Sequence, residues 1–332
     1  MNYRIIFSLV AVVLILSGCT RFGKKIRYTG EAQGTYYAIT YFDSQGRNFK
    51  PETDSLLKRF DLIASLWHEA SLIRTVNRND TVYYHDADFL RLLDLSKEVY
   101  ESSGGAFDPT VGPLVNAWGF GFTDPQKIDS ATVDSLMPLV GFDKIFYNDT
   151  VIIKSDPRIQ LDFNAIAQGY SVDLVGDFLE KKGIVNYLID IGGEVKAHGS
   201  KPDGPWLVGI EKPEDNAGYG EALQATVQLT DLAMATSGNY RKFYEIDGVR
   251  YSHTINPSTG FPVTHSLLSV TVVSENCALA DAWATAFMVL GIDRAIEIVA
   301  QNPDVEAYFI FSGEDQQMKV YFSEGFKSIL TD

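Results

Sequence analysis

A carboxylate and a hydroxyl stand four residues apart in an apolar stretch near the end of the chain, at Asp281 and Thr285. On a helix this spacing places both side chains on one face. Their oxygen atoms suit a hard cation that keeps some of its waters, and they suit zinc poorly. A simple helix cap, or a threonine bonded to its own backbone, would show the same spacing, so on these residues alone both readings stay open.

His253 is one of only five histidines, and it lies between two turn-rich stretches rather than on an apolar face. An imidazole titrates near neutrality, so a histidine in a loop can accept a proton from a reacting hydroxyl. The alternative is a histidine whose nitrogen atoms are hydrogen-bonded within the core. The surrounding residues favour a functional role for His253.

Two glycine-rich segments can bind a flat, phosphorylated ligand. In the first, residues 104–114 precede Trp118 and Phe120, and aromatic faces beside flexible backbone suit a heteroaromatic ring. In the second, residues 161–170, a predicted strand carries Asp162 outward and runs into a helix, whose N-terminus attracts phosphate. The spacing matches neither a P-loop nor a dinucleotide fingerprint, and a tight turn pinned by Trp118 remains an alternative for the first segment.

The first 18 residues form a targeting segment, with Arg4 before an apolar run that is shorter than the roughly 20 residues of a membrane span. The run ends in Leu-Ser-Gly-Cys, which predicts a lipoprotein signal at 1–18 and a lipid on Cys19. The alternative is an ordinary secretory signal with an incidental cysteine. Residues 19–28 read as a lipidated N-terminus and basic tether. Cys277 then remains alone, so no disulfide forms within the chain.

The remaining residues, 29–332, read as one α+β domain. A net charge of −15 argues against a nucleic-acid partner. Periodicity predicts helices over 51–66, 86–103, 166–182, 276–290 and 293–301, and strands over 151–154, 159–162, 185–191, 206–211, 223–229, 267–273, 306–311 and 318–322. Because helices do not alternate regularly with strands, a doubly wound sheet fits poorly and an α+β arrangement fits better.

Taken together, the motifs resemble the ApbE family of FAD:protein FMN transferases over nearly all of residues 29–332. The segments that carry the resemblance are Gln33-Gly34-Thr35, residues 105–114 and 161–170, Gly192-Gly193-Glu194, residues 237–240 and 253–260, and Asp281 to Thr285. The resemblance implies a single catalytic domain with a T-fold-like core. It also implies transfer of FMN from FAD to a Thr or Ser hydroxyl of an acceptor protein through a phosphoester bond, with release of AMP.

The resemblance further assigns roles to individual residues. FAD contacts are implied for Gln33, Trp67, Ala106, Phe107, Asp108, Asp162, Gln168, His253 and Ile255. Mg²⁺ ligands are implied at the backbone oxygen of Ala165 and at Asp281 and Thr285, and His253 is our candidate base. The family commonly has Met where Gln33 stands and often Lys where Gln168 stands, so contacts to the flavin, the adenine or the phosphates can differ.

These implications define a lipid-anchored enzyme on the periplasmic side of the cell envelope. Its expected partner is the acceptor flavoprotein subunit of a membrane redox complex. Two alternatives use the same site: a Mg²⁺-dependent FAD pyrophosphatase that yields FMN and AMP, and a lipoprotein that binds FAD without catalysis. The product formed from FAD distinguishes the three.

Overall fold

The computed structural model describes residues 22–123, 128–213, 222–239, 243–246 and 249–331. Cys19 and the signal segment lie outside the described residues, as do Tyr240 and Arg241. Within the described ranges, none of the helices combines the length and the apolar character that crossing a membrane requires.

Strands account for the central layer of the molecule. They are β1 Lys24–Ala32, β2 Thr35–Asp43, β3 Thr81–Tyr83, β4 Ile145–Tyr147, β5 Val151–Lys154, β6 Tyr187–Ile191, β7 Glu194–His198, β8 Trp206–Glu211, β9 Leu223–Leu229, β10 Leu232–Gly238, β11 Phe243–Ile246, β12 Val249–Ser252, β13 Leu267–Ser274, β14 Glu306–Ser312 and β15 Met318–Phe322. Eight of them form one antiparallel sheet in the order β1-β2-β6-β7-β10-β13-β14-β15.

Helices cover the sheet and contain several of the candidate site residues. They are α1 Lys50–Ala64, α2 Leu72–Arg78, α3 Ala87–Ser102, α4 Gly112–Ala117, α5 Ser130–Leu136, α6 Ala167–Lys181, α7 Cys277–Leu290, α8 Ile292–Val299 and α9 Glu324–Lys327. Asp86 caps α3 by accepting hydrogen bonds from the N–H groups of Asp88 and Phe89. The five predicted helices are confirmed to within two residues at every end.

The two faces of the large sheet have separate cores. On one face α6 and α7 pack against β6, β7, β10 and β13. On the other face lie the β8–β9 hairpin and α9, whose Trp206, Val227 and Phe326 are buried against the sheet. Helix α7 is apolar on almost every side, as expected for a helix enclosed between the sheet and α3. The α+β prediction is therefore confirmed.

Two tight hairpins lie side by side at one end of this sheet. The turn between β1 and β2 holds Gln33 and Gly34 at φ of 54° and 74°, and the turn between β6 and β7 holds Gly192 and Gly193 at 62° and 108°. Because Tyr37 pairs with Ile191, both turns face the same way. Helix α6 begins beside them. This end of the sheet therefore gathers several of the segments that the sequence singled out.

Two sequence predictions are wrong in detail. Residues 159–162 form no strand, because the backbone of Leu161 bonds to the side chain of Asn77 at 2.7 and 2.8 Å and Asp162 donates to the carbonyl of Pro109 at 2.7 Å. Residues 24–28, expected as tether, are the first half of β1. Their register with β2 makes them part of the folded body.

Candidate active site

Asp281 is a buried carboxylate on α7 and the only charged residue of that helix. Its Oδ2 accepts a hydrogen bond from the backbone N–H of Gly169, in the first turn of α6, at 3.1 Å. Burial raises the pKa of Asp281, and the bond from Gly169 only partly offsets it. The helix-cap interpretation is thus correct, but the helix that Asp281 caps is α6 and not its own helix, α7.

Asp281 has no cationic side chain beside it among the described residues. A buried carboxylate without a countercharge is costly, and metal coordination is one way in which proteins compensate it. Thr285 lies on the same face of α7, with its hydroxyl 3.2 Å from that of Ser237, and Ala165 lies two residues before α6. No group of three or more His, Cys, Asp or Glu side chains able to hold a metal occurs in the part of the chain described. The donor set of carboxylate, hydroxyl and carbonyl suits Mg²⁺, which keeps waters and takes further oxygens from a substrate phosphate.

The start of α6 also meets the two hairpins. Gln168 donates through Nε2 to the carbonyl of Ile191 at 2.8 Å and to the carboxylate of Glu194. The hydroxyl of Ser171 lies 3.2 Å from Oε1 of Gln33. The Nε2 of Gln33 is buried and has no hydrogen-bond partner among the residues that the structure describes. An unpaired donor at this position indicates that an acceptor on a ligand completes the arrangement.

A cavity of about 220 Å³ adjoins the loop that leads into α6. Its lining includes Trp67, Arg74, Arg78, Phe122, Asp162 and Asn164. The rings of Trp67 and Phe122 lie 5.7 Å apart, and the Trp67 side chain is 63% exposed. Exposed aromatic faces beside basic side chains suit a planar, anionic ligand.

The Gly104–Leu114 segment is a tight turn with a buried acid. Gly104 and Gly105 have φ of 65° and 83°, and Ala106 and Phe107 are buried. The Oδ1 of Asp108 accepts hydrogen bonds from the backbone and hydroxyl of Thr110 at 2.8 and 2.6 Å. Burial raises the pKa of Asp108 to about 6, against these bonds. The segment is joined to the cavity, because its Pro109 carbonyl holds the backbone of Asp162.

His253 and Ile255 lie in a loop that packs beside α4, and Gly112 and Asn116 of α4 line the cavity. Ile255 is buried in a small core with Leu114 and Trp118. His253 is only partly buried, and its ring lies edge-on to that of Phe120 at 6.4 Å. The alternative of a core histidine therefore does not describe His253. The loop that carries it is joined to α4 through Trp118.

The expected residues fall into neighbouring groups rather than one cluster of direct contacts. Gln33, Gln168 and Asp281 meet at the start of α6, and Trp67 and Asp162 share the cavity. Ala106, Phe107 and Asp108 connect to the cavity by backbone, and His253 and Ile255 connect through α4. Sequence reasoning did not identify Phe122 or Arg74, which line the cavity. Their arrangement depends on the fold, and no local motif marks them.

Comparison with known proteins agrees with this geometry. The model of the ApbE family matches residues 33–309. A FAD:protein FMN transferase of Vibrio cholerae is 34% identical over 97% of this chain and 98% of its own length, and one of Haemophilus influenzae is 34% identical over 88% of each. The solved structure of the flavin transferase ApbE from Vibrio cholerae superposes with a TM-score of 0.83 at 32% identity, covering 92% of this chain and 99% of that one. Apo flavinyl transferase ApbE of Pseudomonas stutzeri gives the same TM-score and identity over 93% and 98%. The chain therefore belongs to the ApbE family.

Proposed function

We propose that this protein is an FAD:protein FMN transferase that requires Mg²⁺. The observation that carries the proposal is Asp281, a buried carboxylate that accepts from Gly169 at the start of α6 and has no countercharge among the described residues. The loop that leads into α6 lines a cavity with exposed aromatic rings. A cation would compensate the charge of Asp281, and a phosphorylated flavin nucleotide would suit the cavity with its aromatic rings. The names of the relatives, FAD:protein FMN transferase and flavin transferase, support the same activity.

In this proposal the pyrophosphate of FAD lies at the start of α6. Ala165, Asp281 and Thr285 hold the cation, which supplies charge neutralisation for the phosphates when it is bound. A ring of the nucleotide lies against Trp67 in the cavity, where Asp162 is also found. Gln33 donates through Nε2, which has no partner among the described residues, to an acceptor atom of the nucleotide. The remaining contacts with FAD that the family resemblance implies would come from Ala106, Phe107, Asp108 and Gln168.

The reaction exchanges one phosphorus–oxygen bond for another. A Thr or Ser hydroxyl oxygen of the acceptor protein bonds to the phosphorus of the FMN half, and the bond from that phosphorus to the AMP phosphate breaks. AMP leaves, and FMN remains on the acceptor as a phosphoester. The hydroxyl proton passes to the imidazole of His253, which stands in the loop held beside α4. Such transfers depend mainly on positioning and charge neutralisation.

We further propose that the protein is a lipoprotein of the cell envelope facing the periplasm. Leu-Ser-Gly-Cys after the apolar run supports lipidation of Cys19. More than one acyl chain is needed for stable anchoring, at about 0.8 kcal/mol for each buried CH₂. The acceptor would then be a flavoprotein subunit of a membrane redox complex. Cys19→Ser should move the protein out of the membrane fraction, and retention there would place the anchor elsewhere.

The product formed from FAD tests the activity. The protein is incubated with FAD, Mg²⁺ and a candidate acceptor, and the acceptor is weighed by mass spectrometry while free nucleotides are separated by chromatography. We expect flavinylated acceptor and AMP in equal amounts. Free FMN with AMP and an unmodified acceptor would indicate a pyrophosphatase, and intact FAD a binding protein.

Asp281→Asn sharpens this test, because asparagine keeps an acceptor for Gly169 but not the charge. We expect transfer to fall by about 100-fold or more, since the cation loses its only side-chain carboxylate. Asp293→Asn is the control, an exposed aspartate in the first turn of α8. Full activity of Asp281→Asn, or undiminished turnover in excess chelator, would show that the reaction does not require the cation.

A further inference from the structure

Helices α6 and α7 begin side by side, and each is capped by an aspartate of the other. Asp281 of α7 accepts from the N–H of Gly169 in α6. In return Asp173 of α6 accepts from the N–H groups of Cys277 and Ala278, the first two residues of α7, at 3.2 and 2.9 Å. The residues at the N-cap positions, Ile166 and Asn276, make no side-chain cap bond of their own. The two helix starts therefore fix one another.

The two helix starts are in close backbone contact. A Cβ added at Gly169 would lie 2.3 Å from the carbonyl oxygen of Cys277 and 2.9 Å from Cβ of Asp281. Only glycine allows this approach. A small shift of α7 along α6 would therefore break the bond between Gly169 and Asp281 or produce a clash.

The two capping aspartates differ in charge compensation. Lys196, on β7, donates to Oδ1 of Asp173 at 2.7 Å, and the two side chains are 16% and 10% exposed. Burial raises the pKa of Asp173, and Lys196 and the two backbone N–H groups act against it. Asp281 has no such partner among the described residues. The pair of Asp173 and Lys196 thus supplies a charge-compensated cap, while the carboxylate of Asp281 has no compensating charge among the described residues.

We propose that Asp173 and Lys196 are positioning residues for the divalent-cation site. Asp173 sets the start of α7, Lys196 holds Asp173 in its ionised, capping orientation, and Asp281 is thereby kept one turn further along α7 against α6. The inference rests on the proposed function, because the cation belongs to it. Neither Asp173 nor Lys196 touches the cation or the nucleotide in this scheme.

The test measures binding of Mn²⁺ alone to the FAD-free protein, by the electron paramagnetic resonance signal of free Mn²⁺. In Asp173→Asn the amide nitrogen would face either the N–H of Ala278, or the N–H of Cys277 together with the ammonium of Lys196. All of these groups are donors, so at least one capping bond is lost and the charge that pairs with Lys196 is removed. We expect Mn²⁺ affinity to fall by about tenfold or more, as is common when groups that orient a metal ligand are removed. Asp177→Asn, an exposed acid one turn further along α6, is the control and should bind Mn²⁺ like the wild type.

Lys196→Gln separates positioning from simple electrostatics. Removing a positive charge near a cation site should tighten Mn²⁺ binding if charge alone matters. Positioning predicts weaker binding, by about threefold or more, because Asp173 loses the group that orients it. Binding that is tighter, or within about twofold of the wild type, would overturn the proposal. Lys196→Gln also decides the question if Asp173→Asn does not fold.

The same titration keeps this inference apart from the proposed activity. A wild-type protein that binds no Mn²⁺ would contradict both the cation site and its positioning. Wild-type binding with unchanged affinity in both variants would contradict the positioning alone. Thermal unfolding without metal, recorded for every variant, shows whether a loss of affinity exceeds the loss of stability.

Discussion

The indole Nε1 of Trp118 donates a hydrogen bond to the backbone carbonyl of Gly260 at 2.8 Å, across 142 positions of the sequence. Trp118 is the C-cap residue of α4, and Gly260 ends the loop that begins at His253. A Cβ at Gly260 would lie 2.4 Å from Cγ1 of Val133, so the loop fits closely here. The bond therefore fixes the loop of the candidate base to the helix that follows the Asp108 turn.

Trp118→Phe should weaken both stability and transfer. The variant leaves a buried carbonyl unpaired and removes packing, which together lower the free energy of unfolding by about 1–3 kcal/mol. Transfer should fall further than this loss alone explains, because the loop of His253 is released. Urea unfolding and single-turnover transfer rates measure the two effects.

Trp206→Phe is the matched control for this variant. Trp206 is also buried, and its Nε1 donates to the carbonyl of His198 at 3.2 Å, but it lies on the opposite face of the sheet. Trp206→Phe should lose comparable stability and keep its transfer rate. Equal loss of activity in the two variants would show that Trp118 acts only through stability.

Local sequence patterns predicted the helices and most strands, because periodicity and caps are local. The segment at 159–162 shows the limit of such reasoning. Its apolar residues are typical of a strand, but its backbone partners are the side chain of Asn77 and the carbonyl of Pro109, which no nearby pattern reveals. Similarly, the pair Asp281 and Thr285 was visible as a motif. That Asp281 caps α6, and that Asp173 caps α7 in return, depends on how two distant helices meet.

Gln33→Leu should stabilise the FAD-free protein and weaken FAD binding. The buried Nε2 of Gln33 has no partner within the described part of the chain. Such a donor costs about 1–3 kcal/mol, so removing it should raise the free energy of unfolding by about 1 kcal/mol. Ser171 keeps an acceptor, the carbonyl of Gln168 at 2.7 Å. FAD affinity, measured by fluorescence quenching, should fall by about fivefold, the equivalent of one hydrogen bond.

Gln316→Leu controls for residue type and backbone conformation in this comparison. Gln316 has φ of 59°, close to the 54° of Gln33, and lies exposed in the turn between β14 and β15. In Gln316→Leu, stability and FAD affinity should both stay close to those of the wild type. An unchanged FAD affinity in Gln33→Leu would mean that its amide does not contact the nucleotide.

Asp108 should give the wild type a stability that falls as pH rises from about 4 to about 6. Burial raises the pKa of Asp108 to about 6, so the folded protein holds this proton more tightly than the unfolded chain does. Its contribution to stability is therefore complete below about pH 4 and is lost as pH rises through 6, by up to about 3 kcal/mol. Asp108→Asn removes the titration.

The measurement is the difference in unfolding free energy between wild type and Asp108→Asn from pH 4 to pH 7. As pH rises, the wild type should become less stable relative to Asp108→Asn. Asp134→Asn, an exposed aspartate on α5, should show no such change. A difference that stays constant with pH would show that Asp108 does not titrate in this range.

His253→Asn should lose transfer while retaining FAD. If His253 accepts the hydroxyl proton, its removal costs about 10²–10⁴-fold in the single-turnover rate, because general-base help is typically of that size. FAD affinity should stay within about threefold of the wild type, since the interaction lost is made in the transition state. The wild-type rate should also fall on the acidic side of neutrality, where an imidazole is protonated, and this dependence should vanish in the variant. His198→Asn is the control, because His198 lies at the far end of β7 from the two hairpins.

A role of His253 in ordering the loop, or in contacting a phosphate, instead predicts that FAD affinity falls in step with the rate. In that case, or if the acidic dependence survives in His253→Asn, the proton is taken by another group and His253 is a binding residue.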